Sequence, residues 1–320
     1  MSSHSIHSDV YLSLSSDGSS SDDSFHSTSI PSLNVTLESY FSGCVKNFNI
    51  IHINAQSFPA HYPDMLASFD SHNIHAILIS ESWLKPCLSS TPYSLPGFQL
   101  IRNDRSGRRG GGVAIYLRSY IPFTVLGSSA EPPPPDAVEH LLIEVSLSCS
   151  KLLLGVFYNP SSLSNYFTTF ENVLHNFIPT YSHSIIMGDF NTWLLKNDSR
   201  CKKLLEITDS YNLHVLPLKS THHSSGCIPS LLDLIMVSSP DFISNHGQCP
   251  ADAFSYHDLI FLSYTIHPPK AKSRTLLYRN FAGMDQIRLC DEARQLDWSS
   301  IFAAESINDK IEMFNTLLIV

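Results

Sequence analysis

From Phe48 onward, apolar residues arrive in short runs separated by turn-forming residues, the pattern of β-strands rather than of long helices. The runs at 49–53 and 75–80 are apolar almost throughout, as strands covered on both faces are, and further strands are expected at 184–188, 231–237 and 258–264. A strand at 111–118 follows three glycines that permit a tight turn. Leu141, Ile143, Val145 and Leu147 alternate with polar neighbours, so that strand has one buried face, and Lys151–Tyr158 is placed to pair with it as a hairpin. Helical spacing shows at Phe167, Phe170, Val173, Leu174 and Phe177, and more weakly at Leu204, Leu205 and Ile207. Strands interleaved with a few helices predict an α/β domain.

The pattern fails at both ends. Residues 1–45 are Ser-rich and acidic with few large apolar groups, a composition that buries too little to offset its ordering entropy; a disordered tail is expected there. At 267–320, His267-Pro268-Pro269 opens a basic stretch of Lys270, Lys272, Arg274 and Arg279. Ile307, Ile311, Phe314 and Leu318 then recur at helical spacing, so this end reads as a basic linker followed by helices. The region between, 46–266, is the expected folded domain.

Composition narrows the class. A hydrophobic content of 43% in 320 residues supports a sizeable core. The seven cysteines form no C-x-x-C pair, which argues against a zinc ribbon and a disulfide framework and fits a reducing compartment. No apolar run approaches the roughly 20 residues of a membrane span, so an intracellular protein is expected, with no membrane partner. The net charge of −9 sits awkwardly with a phosphate-binding protein, but five of those charges (Asp9, Asp17, Asp22, Asp23 and Glu38) precede Lys46. Charge therefore neither supports nor excludes a nucleic acid.

Four runs end on a polar or acidic residue: Asn54 after Ile53, Glu81 after Ser80, Asp189 and Asn191 after Gly188, and Asp233 after Leu232. One acid after a strand is ordinarily the polar start of a loop. Four such ends are the arrangement by which α/β proteins assemble sites, since strands fix position while their ends remain accessible. Gathered carboxylates supply the oxygen ligands that hard cations such as Mg²⁺ take.

The motifs, in order, resemble the exonuclease–endonuclease–phosphatase superfamily: Ile53-Asn54-Ala55-Gln56, Ser80-Glu81-Ser82-Trp83-Leu84, Val156-Phe157-Tyr158-Asn159-Pro160, Gly188-Asp189-Phe190-Asn191, Leu232-Asp233-Leu234-Ile235 and Ser255-Tyr256-His257-Asp258. The wording E-S-W-L, R-x-G-G-G-V-A-I-Y, F-Y-N-P and H-D-L-I is similar to the apurinic-endonuclease-like endonucleases of LINE-type (non-LTR) retrotransposons. Leu277-Tyr278-Arg279-Asn280-Phe281 resembles the connector toward a reverse transcriptase, although no polymerase motif is present. The resemblance implies a four-layer α/β sandwich, two packed mixed β-sheets flanked by helices. It implies a Mg²⁺-dependent endonuclease that nicks DNA for target-primed reverse transcription, working in the nucleus, with a reverse transcriptase domain as partner.

Residue by residue, the resemblance makes Asp189 the base that orients or deprotonates water, with Asn191 and Asn54 positioning water and phosphate. Glu81 would hold Mg²⁺, Tyr158 would contact the phosphate, and His257 paired with Asp233 would donate to a non-bridging oxygen. Thr221 stands at the spacing of a further hydroxyl near the site. Arg105, Arg108 and Arg109 lie in a basic loop that reads either as a tract following the DNA backbone or as an ordinary solvated loop.

One position departs from the pattern: Tyr256 stands where the family has an aspartate, and a phenol is a poor Mg²⁺ ligand. Either Glu81 suffices, or Asp258 compensates, or the chain is an inactive remnant that only binds; a phosphatase of the same superfamily is the other alternative. Gly110-Gly111-Gly112 lacks the Lys-Ser/Thr of a phosphate-binding loop. His222-His223 lacks partners at zinc spacing and reads as an exposed loop, as does the tetraproline 132–135.

Overall fold

The computed structural model describes residues 33–69, 73–130, 137–148, 150–160, 166–252, 254–271 and 285–318. The tetraproline and most of the basic connector lie outside them. The chain divides into two compact units, Met1–Lys270 and Ala271–Val320.

The first unit is built on two six-stranded mixed sheets. Along the chain the strands are β1 (Phe48–Asn54), β2 (Ala76–Ser80), β3 (Phe98–Asn103), β4 (Val113–Arg118), β5 (Phe123–Ser128), β6 (Glu139–Ser146), β7 (Lys151–Tyr158), β8 (His183–Asp189), β9 (His214–Val215), β10 (Asp233–Val237), β11 (Ile243–Cys249) and β12 (Leu259–Tyr264). The first sheet runs β11-β12-β1-β2-β4-β3 and the second β5-β6-β7-β8-β10-β9. Each has one parallel pair at its centre, β1 with β2 and β7 with β8, flanked by antiparallel neighbours. The central strands are buried along their length, which is why their sequences lack alternation.

The inner faces meet in one core, with Ile50, Leu78 and Ile260 of the first sheet among the same apolar cluster as Leu154, Met187 and Ile235 of the second. The outer faces are covered by helices. Those on the first sheet are α1 (Leu33–Phe41) and α2 (Phe58–Ser68); those on the second are α3 (Phe167–Phe177) and α4 (Ser199–Ser210). This is the four-layer sandwich that the motif order implied. The second unit holds α5 (Gln286–Gln295), α6 (Ser299–Ala303) and α7 (Ile307–Leu318); Ile307, Ile311 and Phe314 of α7 are exposed.

Three features depart from the sequence reading. The tail expected over 1–45 ends in a helix: Leu37 and Phe41 of α1 are fully buried, and Phe41 meets Phe261 edge-on at 5.7 Å. Its few apolar residues suffice because they lie one turn apart on a single face. The helix α2 was hidden by Pro59 and Pro63; Pro59 sits in the first turn, where the missing N–H has no intrahelical acceptor in any case. The strands β3, β5 and β11 went unseen because they carry mixed, partly exposed residues (ISNHGQC in β11), and β3, β5 and β11 are sheet edges with one free side.

If α1 belongs to the core, Phe41→Ala should lower the unfolding free energy by about 3–5 kcal/mol, the cost of truncating a buried phenylalanine. Urea denaturation measures it; a loss below about 1 kcal/mol would mean that the helix does not pack as described.

Candidate active site

Strand parity sets the site. On the inner face of β1 the residues run Phe48, Ile50, His52, Asn54, and on that of β8 Ile185, Met187, Asp189; the apolar core thus gives way to polar groups at one end of the sandwich. Register does the rest. Tyr158 is opposite Asp189 in the parallel β7–β8 ladder, and Asp189 is opposite Asp233 in the antiparallel β8–β10 ladder.

Asn54 joins the two sheets. Its Nδ2 donates to Glu81 Oε1 at 3.0 Å, just past β2, and to Asp189 Oδ2 at 2.9 Å on β8. Its Oδ1 accepts from the Gln56 N–H at 3.1 Å. Both amide hydrogens are therefore engaged in orienting carboxylates. Glu81 Oε2 accepts from Trp83 Nε1 at 3.1 Å, and Asp189 Oδ1 from the Asn191 N–H at 2.9 Å. Asn191 Nδ2 in turn donates to the Asn159 carbonyl at 2.7 Å. Among the described residues, five non-glycine residues beside these strand ends have positive φ: Gln56, Ser57, Glu81, Trp83 and Asn191. Strain of this kind persists where surrounding structure over-determines it, most often at functional sites.

On the other side of Asp189, His257 Nδ1 lies 2.8 Å from Asp233 Oδ2. Thr221 Oγ1 donates to the same oxygen at 2.7 Å and accepts the Asp233 N–H at 3.1 Å, so the hydroxyl fixes the carboxylate's rotamer. Burial alone would lower the His257 pKa, but Asp233 outweighs it and holds the imidazole at about 9, charged at neutral pH. Burial would raise Asp233; the charge and hydrogen bond of His257 outweigh that and keep it ionised. Among the described residues, Asp189 makes no ion pair of its own. Burial, then the neighbouring Asp233 charge, push its pKa up to about 7. Burial, then Glu81 and Asp189, raise the Tyr158 phenol well above its ordinary range, so it remains a neutral donor.

Asp189, Asp233 and His257 present ligand atoms all within 4.8 Å of one another. Asp233 Oδ2 and His257 Nδ1 are bonded to each other, which makes these two a proton-holding pair beside the Asp189 carboxylate. A hard divalent cation fits better at Glu81. That carboxylate is half-buried, accepts from Asn54 and Trp83, is also hydrogen-bonded by the Tyr158 phenol, and still has lone-pair capacity for a cation. Tyr256 stays out of the cluster, 61% exposed, and Asp258 is bound by Gln248 Nε2 at 2.7 Å and faces His223 Nε2 at 3.4 Å.

The basic loop is not uniform. Arg108 and Arg109 are exposed, with Arg109 over the Trp83 ring at 5.2 Å. Arg105 is only 6% exposed, ion-paired with Glu139, and lies 5.5 Å from the centre of the Tyr158 ring. The three glycines close the loop around it. Gly111 and Gly112 have φ of +68° and +81°, and a Cβ on Gly111 would meet the Arg105 guanidinium at 2.0 Å. Glu139 accepts the Gly112 N–H at 2.7 Å, and the Gly111 and Gly112 carbonyls accept from Trp83 and Ser82. A chain of hydrogen bonds thus runs from Glu139 to the Glu81 turn.

Sequence reasoning missed four contributors. His52 is fully buried, its Nε2 3.1 Å from Ser80 Oγ and its Nδ1 3.8 Å from Asp233 Oδ1; burial outweighs Asp233 and holds its pKa at about 4, hence neutral. His222, read as an exposed loop residue, is half-buried with its ring 4.7 Å from that of His257. Glu139 and Trp83 complete the set. A histidine on the inward parity of a buried strand was the available signal for His52; nothing local marked Glu139.

A family profile described as endonuclease-reverse transcriptase matches residues 152–261, about a third of the chain. The match lies within the sandwich, whose two packed mixed sheets and flanking helices are the fold of the exonuclease–endonuclease–phosphatase proteins. Among solved structures, the endonuclease domain of TRAS1, a telomere-specific non-LTR retrotransposon, has a TM-score of 0.51 at 17% identity, covering 68% of this chain and 99% of that one. The AP endonuclease LMAP from Leishmania major scores 0.56 at 12% identity, covering 70% and 89%. A 3′ phosphatase, NExo, from Neisseria bound to a product DNA hairpin scores 0.52 at 14%, covering 68% and 99%. At these identities the likeness is one of fold. No curated protein matches the chain.

Arg105→Met should cost about 3–5 kcal/mol, because Glu139 is left as a lone buried charge. Adding Glu139→Gln should recover part of that loss, since the amide still accepts from Gly112. Equal stability of the single and double variants in urea would mean that the two side chains do not act as a pair.

Proposed function

We propose that the domain is a Mg²⁺-dependent DNA endonuclease that nicks its target and leaves a 3′ hydroxyl for primed reverse transcription. The observation that carries this reading is a buried carboxylate, Asp189, held between the Asn54–Glu81 bracket and the Asp233–His257 pair. A carboxylate tuned to about 7 suits a general base at neutral pH, and a charged imidazole beside it suits a donor to a phosphate oxygen. Such pairs of groups with divergent pKa values are the arrangement that acid–base chemistry needs.

In this mechanism Asp189 takes the proton of the attacking water, while Asn191 and Asn54 hold that carboxylate in position. His257 donates to a non-bridging oxygen, its charge sustained by Asp233 and its orientation by Thr221. Tyr158 donates to the phosphate as a neutral phenol. When bound at Glu81, Mg²⁺ would neutralise charge developing on the leaving oxygen. Arg108 and Arg109, exposed beside Trp83, would meet the DNA backbone, whereas Arg105 braces the loop from beneath. The family description and the fold shared with a retrotransposon endonuclease support DNA as substrate and a reverse transcriptase as partner. The reading puts the work in the nucleus.

Supercoiled-plasmid nicking tests it. Relaxation with Mg²⁺, abolished by EDTA and reduced at least about 10³-fold by Asp189→Ala or His257→Ala, is expected. Intact plasmid with folded wild-type protein would overturn the nuclease; hydrolysis of small phosphomonoesters instead would make it a phosphatase, and neither activity would leave a binding remnant.

The pH profile gives a second check. The rate should rise as Asp189 loses its proton near pH 7 and fall as His257 loses its own near pH 9. Asp233→Asn removes the charge that sustains the imidazolium, so the alkaline limb should move down toward or below neutrality. An unmoved alkaline limb would show that His257 does not act as a charged donor.

A further inference from the structure

Tyr256 has no part in these steps, yet it forms a wall beside them. Its ring is 61% exposed, while its carbonyl accepts from the His223 N–H at 2.8 Å and the next residue, His257, is buried in the pair with Asp233. Next to it lies a cavity of about 300 Å³ lined by Gln56, His61, Asp252, Phe254, Ser255 and Tyr256. The cavity adjoins the candidate site on two sides. Gln56 donates its N–H to Asn54 Oδ1 at 3.1 Å, and Ser255 Oγ accepts the His257 N–H at 3.1 Å. Gln56 and Ser57 are held at φ of +41° and +102° on this side. Phe254 is buried and stacked on Phe69 at 5.6 Å, which makes that part of the lining apolar and fixed.

The lining selects among the parts of a nucleotide. It contains no lysine or arginine, and Asp252 adds negative charge, so a phosphate is disfavoured there. A flat uncharged ring with donors and acceptors on its edge meets the opposite conditions. Tyr256 offers an exposed aromatic face, as protein sites that stack bases do. Gln56, His61, Ser255 and Asp252 offer both donors and acceptors for the edge. The volume is that of a small-ligand pocket.

We infer that this cavity is a subsite for the base of a nucleotide flanking the scissile phosphate, with Tyr256 as its stacking wall and Gln56 and Asp252 as its edge partners. The inference rests on the phosphodiesterase reading and adds a specificity element to it. The tyrosine that stands in place of an expected aspartate then reads as a base platform instead of a defect.

A single-stranded oligonucleotide carrying 2-aminopurine, titrated into the full chain in EDTA, tests the subsite with no cleavage in progress. Stacking should quench the 2-aminopurine fluorescence in the wild type and in Tyr256→Phe. Tyr256→Ala should abolish the quench and bind about 5- to 150-fold more weakly, the range for one lost base–aromatic stack; its exposed position predicts an unchanged melting temperature. Asp252→Ala should retain the quench and alter affinity for an oligonucleotide bearing a different base at the labelled position. Equal quench and affinity in wild type and Tyr256→Ala, or no quench by the wild type, would overturn the subsite. Plasmid nicking without quench would sink only this inference; quench without nicking would sink the nuclease reading and leave the base subsite standing.

Discussion

The side-chain amide of Asn54 ties the two sheets together at the rim where the apolar core ends. One hydrogen reaches Glu81 in the first sheet's neighbourhood and the other reaches Asp189 in the second sheet. Below it, interdigitated aliphatic side chains hold the sheets face to face, but apolar packing is non-directional and sets no orientation for a carboxylate. A hydrogen bond does. Each charge-assisted contact fixes one oxygen, and the low dielectric of a buried rim makes such contacts stronger than they would be in water. Glu81, Asp189 and the strained turns that follow them depend on that amide for their relative placement.

The same burial separates two aspartates that are neighbours in one ladder. Asp189 and Asp233 are opposite each other on β8 and β10, and two adjacent buried carboxylates resist ionising together. His257 resolves the conflict by siding with Asp233. That one remains ionised and sustains the imidazolium, while its charge raises its neighbour. Two residues of one type thereby have their pKa values shifted in opposite directions by environment alone. His52, neutral and buried, lies 3.8 Å behind Asp233, and Thr221, bonded to the same carboxylate oxygen as His257, keeps the carboxylate from turning away.

Support for the Glu81 side comes from outside the strand ends. The buried Arg105–Glu139 pair, the glycines folded around it and the turn carrying Trp83 form one hydrogen-bonded assembly that reaches Glu81. Glycine is required at 111, where a side chain would occupy the space of the Arg105 guanidinium. A loop that reads as a basic tract is thus half scaffold, with its exposed cations at 108 and 109 carried on a buried one.

By itself the sequence determined the class of fold and the identity of the strand-end residues. Uninterrupted apolar runs mark central strands, parity within them decides which side chains face inward, and the G-D-F-N and L-D-L-I runs place their acids at inner-face strand ends. It did not reveal α1, α2 or the edge strands, whose mixed or proline-bearing segments take their structure from the surfaces they cover. Only the tertiary structure decided partners. It distinguished the buried Arg105 from the exposed Arg108 and Arg109, brought His222 against His257, and set Tyr256 on a cavity. The physical reason is that periodicity records which face of its own element a residue occupies. A hydrogen-bond partner 135 residues away, as Asp189 is from Asn54, is fixed only when two sheets pack and their registers align.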